Sequence, residues 1–296
     1  MSLESIEIRG QSSGPRLLIV AGVHGDEYEP MVAVRALASD LTGKLLLGTV
    51  TLVPIVNQPA YSLGARTADD QRDLARTCPG DSNGTITQRI AAELSLLIRS
   101  ADYFVDLHTG GMRLKLLPLS GYMLHTDPAV LDKQRAMAEA FNLPIIWGTT
   151  PQLEGRSLSV ARDANVPAIY AEHGGGTGFD PTAVEDYRRG CLNVMRSLGI
   201  IESAPLASAV VHRVEDGRPE SGHLQICHPA PVDGVFMASV DLGQRVQQHE
   251  QIGRVFDPVG NDTVPVLAAL NGIVLMLHVA PRVQKGTGLA VILPIP

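Results

Sequence analysis

Three short stretches of this 296-residue chain concentrate groups able to do chemistry. The first, IVAGVHGDEYEP at residues 19–30, sets His24, Asp26, Glu27 and Glu29 directly behind an apolar run. The second, VDLHTGG, carries His108, and the third, YAEHGGG, carries Glu172. A carboxylate has to be solvated, paired or metal-bound, so clustering of this kind at the end of a buried segment needs a cause. His24 and Glu27 form an H-x-x-E pair, a spacing that can bring both side chains to one side of a turn. Imidazole nitrogen and carboxylate oxygen are good zinc donors, a third ligand often comes from a distant element, and His108 is the obvious third. Three protein ligands leave one tetrahedral position for water, the arrangement of a catalytic rather than a structural site. Zinc lowers the pKa of that water to roughly 7. Glu172 then reads as the general base that takes the water's proton and returns it to the leaving nitrogen.

Plainer readings compete with these. An isolated H-x-x-E arises by chance, and His108 alone could be a hydrogen-bonded histidine at a strand end. What joins the three stretches is glycine: AGVHG, HTGG and HGGGTG all let backbone crowd around one point. The last lacks the Lys-Ser/Thr that follows a phosphate-binding loop. Asp26 and Glu29 are expected to face water. His173 is expected to pack on the face opposite Glu172. His223, Cys227 and His228 lack a complete ligand set, and His125 has no spacing argument for a role.

The elements that must position these residues alternate from residue 15 to about 200. PRLLIVAG, GTVTLVPIVN, DYFVDLH and VPAIYAEH read as strands. PMVAVRALASDL, TITQRIAAELSLLIRS, PAVLDKQRAMAEAF and PTAVEDYRRGCLNVMRSLG read as helices. In the second helix Ile86, Ile90, Leu94, Leu97 and Ile98 share a face, and Gly199 stops the last. Interleaved strands and helices predict an α/β fold with a mostly parallel or mixed doubly wound sheet, and in such sheets ligands gather beyond the carboxyl ends of the strands. The three polar stretches all fall there. From about residue 207 the texture becomes β-rich. DGVFMASVDLGQRVQQHEQIGRVF and NGIVLMLHVAPRVQKGTGLAVIL form a loose repeat sharing a Gly-apolar start and an Arg-Val-Gln centre, which predicts two pseudo-symmetric halves in a small barrel or sandwich. The expected division is a catalytic domain over 1–204 and a C-terminal all-β domain over 205–296.

Composition narrows the function. Hydrophobic content of 45% and charged content of 19% suit a globular enzyme. A net charge of -7 argues against a nucleic-acid partner. No apolar run approaches the roughly 20 residues that span a bilayer, and MSLESIEIRG lacks a signal-peptide layout. Cys78, Cys191 and Cys227 are unpatterned, so they read as ordinary small apolar residues in a reducing, cytoplasmic setting.

GVHGDEYEP, DLHTGG, AEHGGG and the closing YRRGCLNVMRSLG together resemble the succinylglutamate desuccinylase/aspartoacylase family over nearly the whole chain. The resemblance implies a zinc carboxypeptidase-like fold with an added C-terminal β domain, which is similar to the biotinyl/lipoyl hybrid barrel. Here the link between its halves, DPVGNDTVP, has no lysine to carry such a cofactor. It also implies one Zn2+ per chain on His24, Glu27 and His108, with Glu172 as base. The variant HGDEYE is most similar to the branch that deacylates small N-acyl amino acids. In GARTADDQRDLARTCPGD, the family pattern implies that Asp73 orients His24, that Arg76 clamps the substrate carboxylate, and that Arg66 helps stabilise the oxyanion. Arg72 could replace Arg66. The sequence departs from the pattern at Ala75, where the family has asparagine, and at Cys78, where it has an aromatic residue. The asparagine would add a hydrogen bond to the substrate carboxylate, so either the substrate differs at that end or another residue substitutes. The expected partner is a small N-acyl amino acid, with homo-oligomerisation open. Peptide cleavage from the C-terminus and a non-catalytic metal-binding module are the competing functions.

Overall fold

The computed structural model describes residues 3–44, 47–204, 206–224, 227–260 and 262–295. In chain order the elements of the first part are β1 (Ile6–Arg9), β2 (Ser12–Val20), α1 (Tyr28–Asp40), β3 (Leu47–Val53), α2 (Gln58–Leu63), a 3-10 turn (Leu74–Arg76), α3 (Ile86–Ser100) and β4 (Tyr103–His108). Next come β5 (Leu114–Met123), α4 (Pro128–Phe141), β6 (Ile145–Thr149), α5 (Ser157–Asp163), β7 (Ala168–Gly174) and α6 (Pro181–Ser197). The remainder is β8 (His212–Glu215), β9 (Gly234–Ala238), β10 (Arg245–Val246), β11 (Gln251–Phe256), β12 (Thr263–Leu267), β13 (Gly272–His278), β14 (Arg282–Val283) and β15 (Ala290–Leu293).

β2 pairs in parallel with β3 and β4, and β4 in parallel with β7. β2, β4 and β7 are the strands whose carboxyl ends carry the three polar stretches. They read as continuous apolar runs because both faces are covered. On one face Met31, Val34 and Leu37 of α1, Met137 and Phe141 of α4, and Tyr187, Cys191 and Val194 of α6 form a core. On the other face Ile90, Leu94 and Ile98 of α3 pack with Leu158 and Val160. Each such side chain contributes roughly 1.5–3 kcal/mol when fully buried, which fixes the strand ends in place. The expected apolar stripe of α3 is the buried one, with Ile86 and Leu97 half-buried at its edges. Beyond α6, Gly199 adopts a left-handed φ of 71° that ends the helix.

The sheet is mixed because β5 runs antiparallel to β7, with a register shift between Leu116 and Leu119 around Pro118. β5 also pairs with β6 and with β13, so the larger sheet continues without a break into the C-terminal part and reaches 11 strands. A second, four-stranded antiparallel sheet has the order β12-β11-β9-β14. The loose repeat explains its construction. β10 pairs with β13 through Arg245↔Ile273 and Val246↔Gly272, and β14 pairs with β9 through Arg282↔Val235 and Val283↔Gly234. Each Arg-Val of the repeated motif thus pairs with the opening strand of the other half, and the two halves exchange their middle strands around a shared core containing Phe236, Val246, Ile252, Val274 and Val283.

Candidate active site

The first polar stretch is a turn between β2 and α1. Gly25 is required there: a Cβ at that position would sit 2.1 Å from the Ala60 backbone in α2. Glu27 occupies the N-cap position of α1, yet its side chain makes no capping hydrogen bond. Its carboxylate is turned into the site instead. Oε1 lies 2.7 Å from His24 Nδ1, and Oε2 lies 3.0 Å from His108 Nδ1. The Thr109 N–H donates to the same Oε2 at 3.3 Å. Donor atoms of His24, Glu27 and His108 all lie within 4.8 Å of one another, so residues separated by 81 positions converge on one point. Among the described residues it is the one His/Cys/Asp/Glu group arranged to hold a metal ion. Burial alone would push the Glu27 carboxyl up, but the two imidazoles hold it well below the ordinary carboxylate range. Burial opposes charge on His108 as well, and Asp106 and Glu27 reverse this to place its pKa well above 6.5. An anionic oxygen pair facing two imidazole Nδ1 atoms is a donor set suited to a divalent cation.

Each histidine is held from behind by an aspartate. Asp73 Oδ1 lies 3.1 Å from His24 Nε2, accepts from the Ala75 N–H at 2.9 Å, and through Oδ2 accepts from Arg66 at 3.0 and 3.2 Å. Burial would raise the Asp73 carboxyl; its hydrogen bond with His24 and the charge of Arg66 hold it far below the usual range. Asp106 Oδ1 stands 3.1 Å from His108 Nε2. Sequence reading missed Asp106, although its place two residues before His108 puts it on the same strand face. It also missed Tyr187 on α6, whose hydroxyl donates to the carbonyls of His108 and His173 and ties two strand ends together.

The strand pairing sets Glu172 directly opposite His108. Glu172 is 8% exposed, and its Oε2 has no hydrogen-bond partner among the described residues. Burial is the main cause that pushes this carboxyl up to about 8, against the opposing pull of His108. A cavity of about 80 Å³ is lined by His24, His108, Glu172, Arg66, Arg76 and Arg156. Arg66 Nη1 is 3.8 Å from Glu27 Oε1. Arg72 is exposed and does not line the cavity.

Arg156 carried no sequence signal. It comes beside Arg76 because Gly155 packs against the Arg76 backbone, where a Cβ would approach to 2.7 Å, and because the Cys78 N–H donates to the Gly155 carbonyl at 2.9 Å. One Arg156 nitrogen donates to the Gly222 carbonyl at 3.1 Å, while Nε and Nη2 are buried with no hydrogen-bond partner among the described residues. Burial, then the charge of Arg76, push its pKa down to about 10. Paired cations beside a metal-ligand set form a place for an anion.

The remaining residues fall elsewhere. Asp26 and Glu29 do not face water as expected: Asp26 Oδ2 accepts from the Met112 N–H at 3.2 Å, and the buried Glu29 accepts from the Asp180 N–H at 3.0 Å at the start of α6. His173 packs edge-on to Tyr187. His125 bonds the Arg162 carbonyl, and His228 bridges the Ala290 carbonyl and the Ala269 N–H.

The model of the succinylglutamate desuccinylase/aspartoacylase catalytic domain matches residues 13–198, well over half of the chain. The chain belongs to this family of hydrolases. An N-alpha-acetyl-L-2,4-diaminobutyric acid deacetylase of Halomonas elongata is 29% identical over 289 residues, covering 95% of this chain and 83% of that protein. A succinylglutamate desuccinylase/aspartoacylase of Rhodobacter sphaeroides superposes with a TM-score of 0.86 at 29% identity, over 97% of this chain and 87% of the other. The product-bound ectoine utilization protein of Ruegeria pomeroyi gives 0.86 at 27% identity with the same coverage. The mixed α/β sheet and C-terminal antiparallel sheet described above are the architecture of these structures. No described helix is long and apolar enough to cross a membrane.

Proposed function

We propose that the chain is a zinc-dependent hydrolase that removes the acyl group from a small N-acyl amino acid. The observation that carries this reading is the convergence of His24, Glu27 and His108 on one point, with both histidines lining a cavity that Glu172, Arg66, Arg76 and Arg156 also line. The deacetylase activity named for the Halomonas elongata relative supports it. A zinc ion held by His24, Glu27 and His108 would supply Lewis acidity and lower the pKa of a water to roughly 7.

The chain's own groups do the rest. Arg76 and Arg156 anchor the substrate carboxylate, with Arg156 standing in for the family asparagine that Ala75 replaces. Two of its nitrogens have no hydrogen-bond partner among the described residues, which supports that substitution. Arg66, fixed by Asp73, donates to the amide oxygen as charge develops there. Glu172 takes a proton from the attacking water and passes it to the amide nitrogen as the C–N bond breaks. The acyl carbon keeps the water's oxygen and becomes a carboxylic acid, and the nitrogen leaves as a free amine. A carboxyl whose pKa stands near 8 from burial, drawn down by a neighbouring divalent cation, is suited to give and take a proton near neutrality. The cavity, also lined by Gly222 and Leu224, has a volume of about 80 Å³, which suits a small amide rather than an extended peptide. A panel of N-acyl amino acids and C-terminal dipeptides tests the reading. Turnover of the first class is expected, and turnover of dipeptides alone would overturn it.

A further inference from the structure

β7 sends two polar side chains to the cavity. Glu172 and Tyr170 stand two residues apart, so they share one face of the strand, and both line the cavity with His24 and His108. Tyr170 lies opposite Asp106 of β4 and Gly121 of β5. Gly121 lets the ring lie over β5, since a Cβ there would come within 2.5 Å of the Tyr170 hydroxyl oxygen. Among the described residues three hydroxyl side chains line the cavity: Thr149, Ser157 and Tyr170. Thr149 donates to the Tyr122 carbonyl at 3.3 Å, and Ser157 donates to the Asp106 carboxylate. The Tyr170 hydroxyl makes no hydrogen bond among the described residues, and it is not sealed from solvent. Burial, then the charge of Glu172, push the phenol's pKa above its ordinary value, so it keeps its proton. A protonated, unengaged donor therefore waits in the cavity for an acceptor.

The surrounding charges select that acceptor. The Arg156 guanidinium lines the same cavity, donates to the Gly222 carbonyl and forms no ion pair with a carboxylate among the described residues. Its charge reaches the phenol and opposes the rise in the phenol's pKa. The carboxylates that line the cavity are Asp106 and Glu172. Asp106 is engaged by His108 and Ser157, and Glu172 is the proposed base. An anion drawn to Arg156 thus has the Tyr170 hydroxyl as a neutral donor on its other side, and a hydrogen bond to an ionised acceptor is among the stronger kinds. We propose that Tyr170 is a substrate-binding residue whose hydroxyl donates to the carboxylate of the amino-acid half, alongside Arg156. This assignment rests on the proposed deacylase function. It gives Gly121, remote from the chemistry in sequence, a part in recognition, because that residue makes room for the ring.

Tyr170→Phe tests this, because it keeps the ring over Gly121 and removes only the hydroxyl oxygen. The metal-loaded full chain and the variant are compared in three ways. Hydrolysis is followed with the N-acetyl amino acid that the parent turns over fastest among neutral, acidic and basic side chains. Binding of the free amino acid it yields is measured by isothermal titration, and stability by thermal unfolding. The variant is expected to raise KM at least about tenfold, the loss of one hydrogen bond to a charged acceptor, with the larger part of the loss in KM rather than kcat. The amino acid should bind about tenfold more weakly. The melting temperature should match the parent's, since the hydroxyl holds nothing within the chain. Parent-like KM and amino-acid binding would overturn the assignment, as would a fall in kcat alone, or a lower melting temperature with KM unchanged. A parent that hydrolyses no N-acyl amino acid would defeat the deacylase reading and this assignment together, whereas an active parent matched by Tyr170→Phe would defeat the assignment alone.

Discussion

Replacing Glu172 by glutamine is expected to stabilise the metal-free protein and nearly abolish its activity. Burial raises the folded-state pKa of Glu172 from 4.5 to about 8. A carboxyl with a raised folded pKa leaves the fold unpenalised below the unfolded value and costs stability as pH climbs toward the folded value. At about 1.36 kcal/mol per pH unit, the rise from 4.5 to about 8 corresponds to roughly 5 kcal/mol lost by the metal-free chain above that range. Glutamine has the same shape and no charge to bury, so the variant regains a large part of that energy in alkaline solution and little in acid. At about 2 °C per kcal/mol for a chain of this size, metal-free Glu172→Gln should melt several degrees above the parent near pH 8.5 and close to it near pH 5. Turnover by the metal-loaded variant should fall by about 10²–10⁴, the contribution of a positioned general base. Thermal unfolding at the two pH values, paired with N-acyl amino-acid hydrolysis, reads both effects. A variant that is active, or that is destabilised equally at both pH values, would refute the reasoning.

Asp73→Asn removes the charge behind His24 and the anchor of Arg66, and it should weaken zinc binding by about 10–100-fold in a competition with a chelator. Arg156→Ala should raise KM about tenfold or more with a smaller effect on kcat, since it removes one charge-assisted contact to the substrate carboxylate; an unchanged KM would remove Arg156 from the site. Gly25→Ala drives a Cβ to 2.1 Å from the Ala60 backbone and should cost about 1–3 kcal/mol in urea unfolding, together with zinc affinity, because His24 and Glu27 flank the displaced residue.

The parts of the site legible in the sequence were those fixed by local pattern. Apolar runs ending in His24, His108 and Glu172 marked strand ends, and in a parallel sheet strand ends meet. Glycine at Gly25 marked a turn crowded against backbone. The repeated Arg-Val-Gln marked two related halves, although no local feature showed that they exchange their middle strands. β5 was hidden because Pro118 interrupts its apolar run, and the structure accommodates the proline with a shift in register. Asp106 was readable from the two-residue period of β4 and was passed over. The burial of Glu29 depends on Asp180, the N-cap of α6, 151 residues further along the chain, and so left no local trace. Arg156 was illegible for the same reason: its place beside Arg76 is decided by Gly155 packing on a distant turn, a tertiary contact with no periodic trace.

The most direct test of the account is a metal count on the purified chain. After chelator treatment and reconstitution, the parent should hold one zinc ion by elemental analysis and hydrolyse an N-acyl amino acid only when loaded. His24→Ala and His108→Ala should each lose the ion while remaining folded by circular dichroism. A parent that binds no divalent metal, or a folded His108→Ala variant that binds zinc as tightly as the parent, would contradict it.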